Sequence, residues 1–437
     1  MKSELKPPRK NFKSGDVVKV RFETMALGGR AKGVPLDADP IVSVFVQGAA
    51  PGDLALCRVT QVVKRYIEAD LVEVIEPSKC RVQPACPHFG ECGGCQWQML
   101  GYQAQLSAKE ELVRYILARK GIDRSLIKPI IPSPKEFGYR SRVDLEGFLS
   151  PERCELGFFK SRSHERLDIR TCPILMEPMD GSLEEIKTAI LNVRDIAASN
   201  IPFKVRLIYD QLNRRILVMP FRGTLRGRGE STVFVLDDAK LHVMPENGPM
   251  PGYQVGHFQI HFDPTGFIQV NPFVNEHLVK KAVEALKPEK TDEVLELFSG
   301  AGNFTMALAQ SAQKIFAIEN SPDIEMAKQN ADIAGLDNIE FIQSAALDAV
   351  QFLNAKQSKA DLVLLDPPRE GGGQELMRAI SRLGPRRIAY VSCHPRSLAL
   401  DLESLIMMGY RVESVQPFDM FPQTYHAETL TILDFHG

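Results

Sequence analysis

Three observations place this chain in the α/β class. From about residue 274 onward, short apolar β-runs alternate with longer helical stretches, the rhythm of a doubly wound parallel sheet. Residues 15–76 carry several short β-branched runs punctuated by Gly and Pro, which predicts a small closed barrel of the OB type. Between them, residues 137–270 mix β-runs with one helical stretch at 183–196, an α+β pattern. The expected order is an N-terminal OB-like β-barrel over 1–77, a central α+β domain over 78–270 and a C-terminal Rossmann-like domain over 271–437.

The barrel strands are expected at 16–22, 41–46, 54–59 and 66–72, with turns at Gly28-Gly29, Gly33 and Pro51-Gly52-Asp53. A cysteine-rich loop fills 77–100. A helix over 102–120 places Leu106, Leu112, Ile116 and Leu117 on one face and ends at Gly121. In the C-terminal part the helices fall at 275–286, 304–311, 321–334, 346–354, 374–383 and 398–408. The strands fall at 293–298, 314–319, 339–342, 360–366 and 387–391, and a terminal hairpin closes the chain. Such sheets bind ligands at the C-terminal ends of their strands.

The 437 residues and 44% hydrophobic content support several buried cores, and a net charge of −2 produces no bulk field that would attract a polyanion. Local basic density remains at Lys204, Arg206, Arg214, Arg215, Arg222, Arg226 and Arg228, either a solvated face or an RNA contact. No apolar run approaches the ~20 residues of a membrane span. The basic start, residues 1–13, lacks the apolar core of a secretory signal and reads as a solvated tail. Eight clustered cysteines without such a signal point to reduced, metal-binding thiols in the cytoplasm. A monomer with no membrane partner is expected.

The chemistry begins at Glu296-Leu-Phe-Ser-Gly-Ala-Gly-Asn-Phe304, a strand running through a Gly-rich turn into a helix. Gly300 and Gly302 allow close backbone approach to a ligand, and Glu319, at the tip of the next strand, is placed for ribose hydroxyls. That pair fits nicotinamide cofactors as well as S-adenosylmethionine (AdoMet). Asp366-Pro-Pro-Arg369 separates them, because methyltransferases place such a rigid loop beside the transferable methyl and dehydrogenases do not. Cys393, between an apolar strand and Pro395, has the setting of a nucleophile. Cys86-x5-Cys92-x2-Cys95 and the distant Cys172 supply four thiolates, which suit zinc or an iron–sulfur cluster. Cys57, Cys80 and Cys154 read as ordinary thiols, with Cys80 the alternative ligand.

Together these blocks resemble the RNA uracil-5 methyltransferase family, in the branch that carries a TRAM barrel and an iron–sulfur cluster. The resemblance covers nearly the whole chain. It rests on the barrel, on Cys86-Pro-His-Phe-Gly-Glu-Cys-Gly-Gly-Cys95, on Leu297-Phe-Ser-Gly-Ala-Gly-Asn-Phe-Thr305, on Asp366-Pro-Pro-Arg369, on Val391-Ser-Cys-His-Pro395 and on His426-Ala-Glu-Thr429, in the family's order. It implies a class I AdoMet-dependent methyltransferase domain and a [4Fe-4S] cluster on Cys86, Cys92, Cys95 and Cys172. The cluster's role would be structural, tying barrel to central domain, without radical AdoMet chemistry.

Methylating carbon 5 of uracil needs a thiolate to add at carbon 6 and a base to remove the carbon 5 proton. The resemblance assigns these to Cys393 and Glu428, and gives Asp366 the uracil edge or the methyl donor. It assigns Gln269, Phe298, Gly300, Gly302, Asn303, Glu319 and Asp366 to AdoMet. Two departures stand out. The acidic residue usual near the adenine is missing from Gln343-Ser-Ala-Ala346, and His394 follows the nucleophile where a small amide residue is usual. The implied partner is RNA, 23S rRNA favoured and tRNA the alternative. A cytosine-5 methyltransferase would need a second catalytic cysteine, and an amine N-methyltransferase an aromatic in place of Arg369. An RNA-binding or chaperone protein with vestigial catalysis is the non-enzymatic reading.

Overall fold

In a computed structural model, residues 12–36, 42–63, 66–150, 152–192, 201–221 and 232–437 are described. Most of the basic start, Ile41, and Arg222, Arg226 and Arg228 lie outside them. The described residues form two compact units.

The first unit comprises the described parts of 1–112, with 160–163 and 422–425. Its strands β1 (Val17–Met25), β2 (Ala31–Pro35), β3 (Ser43–Val46), β4 (Leu54–Val63) and β5 (Tyr66–Glu76) close into a barrel of order β1-β2-β3-β5-β4. β2, Ala-Lys-Gly-Val-Pro, carries too little β-branched character to be read as a strand from sequence. It pairs because Gly33 lets β1 come close: a Cβ there would lie 2.4 Å from the Arg21 carbonyl oxygen. The only tryptophan in the chain, Trp97, is fully buried in the barrel core and donates its indole N–H to the Gly29 carbonyl at 3.1 Å. That side chain fastens the cysteine loop to the barrel. Gln105, on helix α1 (Tyr102–Ala118), donates to the Leu100 carbonyl at 2.9 Å and exchanges bonds with the backbone N–H and side chain of Gln423.

The second unit holds two seven-stranded sheets. One is antiparallel: β6 (Arg142–Leu149), β7 (Cys154–Phe159), β8 (Arg166–Asp168), β9 (Ile201–Asp210), β10 (Arg215–Phe221), β11 (Phe234–Asp237) and β12 (Lys240–Val243), in the order β12-β11-β10-β9-β6-β7-β8. Helices α2 (Glu177–Gly181) and α3 (Leu183–Leu191) belong to this part, and the hairpin β13 (Gly252–Val255) and β14 (Phe258–His261) follows it. Its basic residues are largely paired, Lys204 with Glu146 at 2.8 Å, Arg206 with Asp144 at 2.7 Å and Arg215 with Asp210 at 2.9 Å. Of the basic run, Lys204, Arg206 and Arg215 are therefore not bare cations.

The other sheet begins after α4 (Pro272–Leu286), which Asn271 caps by accepting the Val274 N–H. Its elements are β15 (Glu293–Leu297), α5 (Thr305–Ala309), β16 (Lys314–Glu319), α6 (Asp323–Ala334), β17 (Ile339–Gln343), α7 (Ala346–Ala355), β18 (Leu362–Leu365), α8 (Gly373–Leu383), β19 (Arg387–Ser392), α9 (Pro395–Ile406), β20 (Tyr410–Phe418) and β21 (Glu428–Phe435). The order is β17-β16-β15-β18-β19-β21-β20, the doubly wound Rossmann-like sheet expected. Every residue of β18 is buried, as a strand covered by helices on both faces requires. The terminal hairpin does not simply append. β21 enters between β19 and β20 and pairs antiparallel with both. One core joins β9 and β10 to α4, β15 and β19 through Ile208, Leu217, Leu278, Val294 and Ala389.

Replacing Trp97 removes a fully buried indole and its hydrogen bond together. Trp97→Ala should destabilise the protein by ~3–5 kcal/mol, read by circular dichroism on urea titration; a loss under ~1 kcal/mol would mean that the loop is not anchored through this side chain.

Candidate active site

β15 ends in a strained turn. Phe298 has φ +64°, a left-handed conformation that costs a residue with a Cβ about 1–2 kcal/mol. Gly300 and Gly302 follow at φ +56° and +93°. Glu319 braces this turn from the tip of β16, accepting the Gly300 N–H at 3.0 Å and the Ser321 N–H at 2.6 Å. The Asn303 amide is committed within the protein: it exchanges hydrogen bonds with Asn275 at 2.7 and 3.0 Å and accepts from the Tyr253 hydroxyl at 3.2 Å. This side chain orients the start of α5, a duty that spacing alone does not reveal.

Asp366 leaves the tip of β18 beside this turn and accepts a bond from the Gln269 amide at 3.3 Å. Gln269 belongs to a segment clamped from three sides. Arg206, paired with Asp144, donates to the carbonyl oxygens of Pro264 at 3.4 Å and Thr265 at 3.2 Å, Arg142 donates to that of Gly266, and the Asp323 carboxylate takes the Phe267 N–H at 3.2 Å. Phe267 itself stands 65% exposed, an aromatic to which the sequence analysis gave no role.

Cys393 and Glu428, 35 residues apart, meet through strand register. β19 and β21 pair from Arg387↔Asp434 to Ser392↔Thr429, so the next step of the ladder sets Cys393 opposite Glu428. Bonds at both ends hold that register. Arg387 forks onto Asp434 at 2.6 and 2.7 Å, and the Thr429 hydroxyl donates to the Ser392 carbonyl at 2.9 Å. Arg369 lies against the ring of His426, with Nη2 3.2 and 3.3 Å from its two nitrogens.

The crevice is strongly acidic. Glu428 is buried, and its Oε1 has no hydrogen-bond partner among the described residues. Burial, and then the Asp366 charge, hold its carboxyl well above the usual carboxylate range. Burial also raises Asp366. Glu296, fully buried on β15, is pushed up to about 8 by burial, with Asp366 and Glu319 adding to it. The Thr305 hydroxyl opposes this in part, although it sits outside hydrogen-bonding geometry. The Cys393 thiol is pushed up to about 12, chiefly by burial and then by Glu428 and Asp366, against the easing effect of Arg369. Asp366 thus bears on both Glu428 and Glu296, and Glu319 on Glu296, so crowding adds to burial in holding protons on these carboxyls. Beyond β17 the chain presents Ser344 and no acid until Asp348 in α7, so the adenine side keeps the departure seen in the sequence.

Comparison with known proteins shows the family. A family model described as tRNA (Uracil-5-)-methyltransferase matches residues 253–435. The 23S rRNA (uracil(1939)-C(5))-methyltransferase RlmD of Marinomonas sp. (strain MWYL1) is 35% identical over 425 residues, covering 94% of each chain. RlmD of Vibrio parahaemolyticus is 32% identical over 90% of this chain and 91% of its own. The chain belongs to the RNA uracil-C5 methyltransferase family. The crystal structure of Pyrococcus abyssi tRNA (uracil-54, C5)-methyltransferase with S-adenosyl-L-homocysteine shares the fold, with a TM-score of 0.70 at 24% identity, over 95% of this chain and all of that one.

In this family member the remaining cysteines separate by environment. Cys86, Cys92 and Cys95 lie on one loop of the first unit, where the Gly94 N–H donates to the Cys92 sulfur at 3.4 Å. Burial, and then the neighbouring Cys86 and Glu91, raise the Cys92 thiol, with the Gly94 bond opposing. Cys172 lies in the second unit, its N–H bonded to Asp180 at 2.5 Å. Among the described residues no group of three or more His, Cys, Asp or Glu side chains is arranged to hold a metal ion. Cys80, the alternative ligand, is held instead against the Ser78 hydroxyl at 3.1 Å. Cys57 and Cys154 are core thiols, each pushed up to about 12 by burial. Among the described residues no helix is long and apolar enough to cross a membrane.

The raised Glu428 carboxyl makes a signed prediction. A group that holds its proton more tightly when folded contributes stability below its ordinary value of about 4.3 and loses it as pH rises toward the folded value. Glu428→Gln should therefore raise the Tm by roughly 2–4 °C more at pH 8 than at pH 5. An equal or smaller gain at pH 8 would show the carboxyl to be unstrained.

Proposed function

We propose that this enzyme methylates carbon 5 of a uridine in structured RNA, 23S rRNA in the first instance, through a transient bond between Cys393 and carbon 6. The observation that carries the reading is the placement of one thiol and one buried carboxyl on facing strands of an acidic crevice. Cys393 adds to carbon 6 and converts the ring to an enolate, so that carbon 5 becomes nucleophilic. AdoMet, when bound, supplies an electrophilic methyl group on a sulfonium. Glu428 then removes the carbon 5 proton, the carbon 6–sulfur bond breaks and the thiolate is regenerated. Asp366 and its Gln269 partner position the reacting groups, and Phe298, Gly300, Gly302, Asn303 and Glu319 form the cofactor side.

Burial, Glu428 and Asp366 disfavour the Cys393 anion, and Arg369 opposes them. We assign residues 1–77 to a TRAM barrel that meets RNA, 78–270 to the central domain and 271–437 to catalysis, in a monomer acting in the cytoplasm. The target base would be extruded to reach the thiol. tRNA remains the second substrate reading, resting on the family description.

The cysteine set Cys86, Cys92, Cys95 and Cys172 is proposed to hold a structural [4Fe-4S] cluster. All four donors are thiols, and the Gly94 N–H is of the kind that stabilises a sulfur ligand.

Cys393→Ala should abolish 5-methyluridine formation while AdoMet still binds, and Glu428→Gln should accumulate an RNA–protein adduct on denaturing gels. Normal turnover in the first variant, or no adduct in the second, would contradict the roles given. Anaerobically purified protein should be brown, with broad absorbance near ~400 nm and iron present; a colourless, zinc-loaded protein would refute the cluster.

A further inference from the structure

We propose that His394 and Ser397 form a latch between the nucleophile's turn and the Asp366-Pro-Pro-Arg369 loop, which makes His394 a positioning residue for methyl transfer. The proposal rests on the reaction assigned above.

Cys393 and Asp366 leave adjacent parallel strands, and the ladder joining those strands ends at Leu365↔Tyr390. Beyond that pair no backbone bond of the ladder sets the distance between the two loops. Side chains of α9 do so. The Ser397 hydroxyl donates to the Arg369 carbonyl at 2.7 Å, with the His394 carbonyl a longer second acceptor at 3.1 Å. His394 Nδ1 lies 2.8 Å from the same hydroxyl oxygen. One turn further on, Asp401 accepts the Gly372 N–H at 2.8 Å, the Gly373 N–H at 3.1 Å and the Tyr390 hydroxyl at 2.6 Å. The loop is thus held at both ends, by Ser397 at Arg369 and by Asp401 at Gly372-Gly373. Gly371 permits this approach, since a Cβ there would fall 2.6 Å from the Asp401 carboxylate.

Proton inventory fixes the role of the imidazole. Ser397 has one hydroxyl proton, and the short bond to the Arg369 carbonyl uses it. The Nδ1 contact must then be an N–H donated by His394 to the Ser397 oxygen. The neutral ring is therefore held as the Nδ1–H tautomer, and proton uptake at Nε2 leaves the latch intact. Arg369 and Glu370 from the loop and Arg396 from α9 are the charged groups around the ring, and burial together with the two arginines disfavours the imidazolium. Through the Arg369 backbone, the latch also fixes the guanidinium that lies against His426 and eases ionisation of Cys393.

The test compares single-turnover methyl transfer at saturating AdoMet and RNA. His394→Leu and Ser397→Ala should each slow the step by about tenfold or more, with the AdoMet Kd within about twofold of wild type. His394→Asn, which restores a side-chain N–H donor, should recover most of the rate. The His394→Leu/Ser397→Ala pair should be no slower than either single change, because one latch is broken either way. Full turnover in Ser397→Ala, equal losses in the Leu and Asn variants, or additive losses would overturn the proposal. Nitrogen NMR of 15N-histidine-labelled enzyme, with His394 assigned by difference from His394→Asn, reads the tautomer without any reaction. A protonated Nδ1 and bare Nε2 support the latch, and the reverse tautomer sinks it even if the substrate assignment stands. An active wild type with an unaffected latch variant would refute only the latch, whereas a wild type that forms no 5-methyluridine would refute the reaction.

Discussion

The antiparallel pairing of β19 with β21 is the constraint on which the rest of the site depends. A parallel doubly wound sheet delivers strand tips to one edge, yet two tips of neighbouring parallel strands carry loops that diverge into helices. Inserting β21 in the opposite sense brings the start of one strand to the end of another. Thr429 then faces Ser392, and Glu428 comes to the mouth where Cys393 begins its turn. Because side chains alternate along a strand, a slip of one residue would turn the base away from the thiol. The Arg387–Asp434 fork at the far end of the ladder and the Thr429 hydroxyl at the near end hold the register against that slip.

The second organising feature is a crowd of buried carboxyl groups. Glu296, Glu319, Asp366 and Glu428 converge where the protein offers few cations, Arg369 being the one that bears on Cys393. Buried and crowded, these carboxyls resist ionisation, and so does the neighbouring thiol. The left-handed Phe298 turn beside these carboxyls is a second local cost, a conformational one.

Most of the fold was legible in the sequence because apolar periodicity and Gly/Pro punctuation agreed along the C-terminal half, where buried parallel strands leave continuous apolar runs such as Leu-Val-Leu-Leu in β18. β2 was not legible, because its pairing depends on close backbone approach at Gly33 and not on its side chains. The insertion of β21 between β19 and β20 was hidden for a different reason, since a hairpin pattern says that two strands pair and not what lies on their other edges. Motif order and the chemistry of an unreactive carbon were enough to single out Cys393, Glu428 and Asp366, which the fold brings to neighbouring strand ends. Glu296 could not be singled out in this way, as a carboxylate within an apolar strand has the same letter whether it is exposed or, as here, fully buried. Asn303 fitted a cofactor position in the motif, yet its amide is already engaged by Asn275 and Tyr253. His394 was conspicuous only as an unusual neighbour of Cys393, and its Ser397 partner carried no signal before the turn of α9 was seen.

The register claim can be read directly by chemical cross-linking. With Glu428→Cys introduced, mild oxidation should join that position to Cys393, because opposed residues of an antiparallel pair bring their Cα atoms within the roughly 4.4–6.8 Å that a disulfide spans. Peptide mapping should recover the 393–428 linkage as the dominant disulfide. Both thiols remaining alkylatable after oxidation, or Cys393 joining a different cysteine, would contradict the placement of nucleophile and base on facing strands.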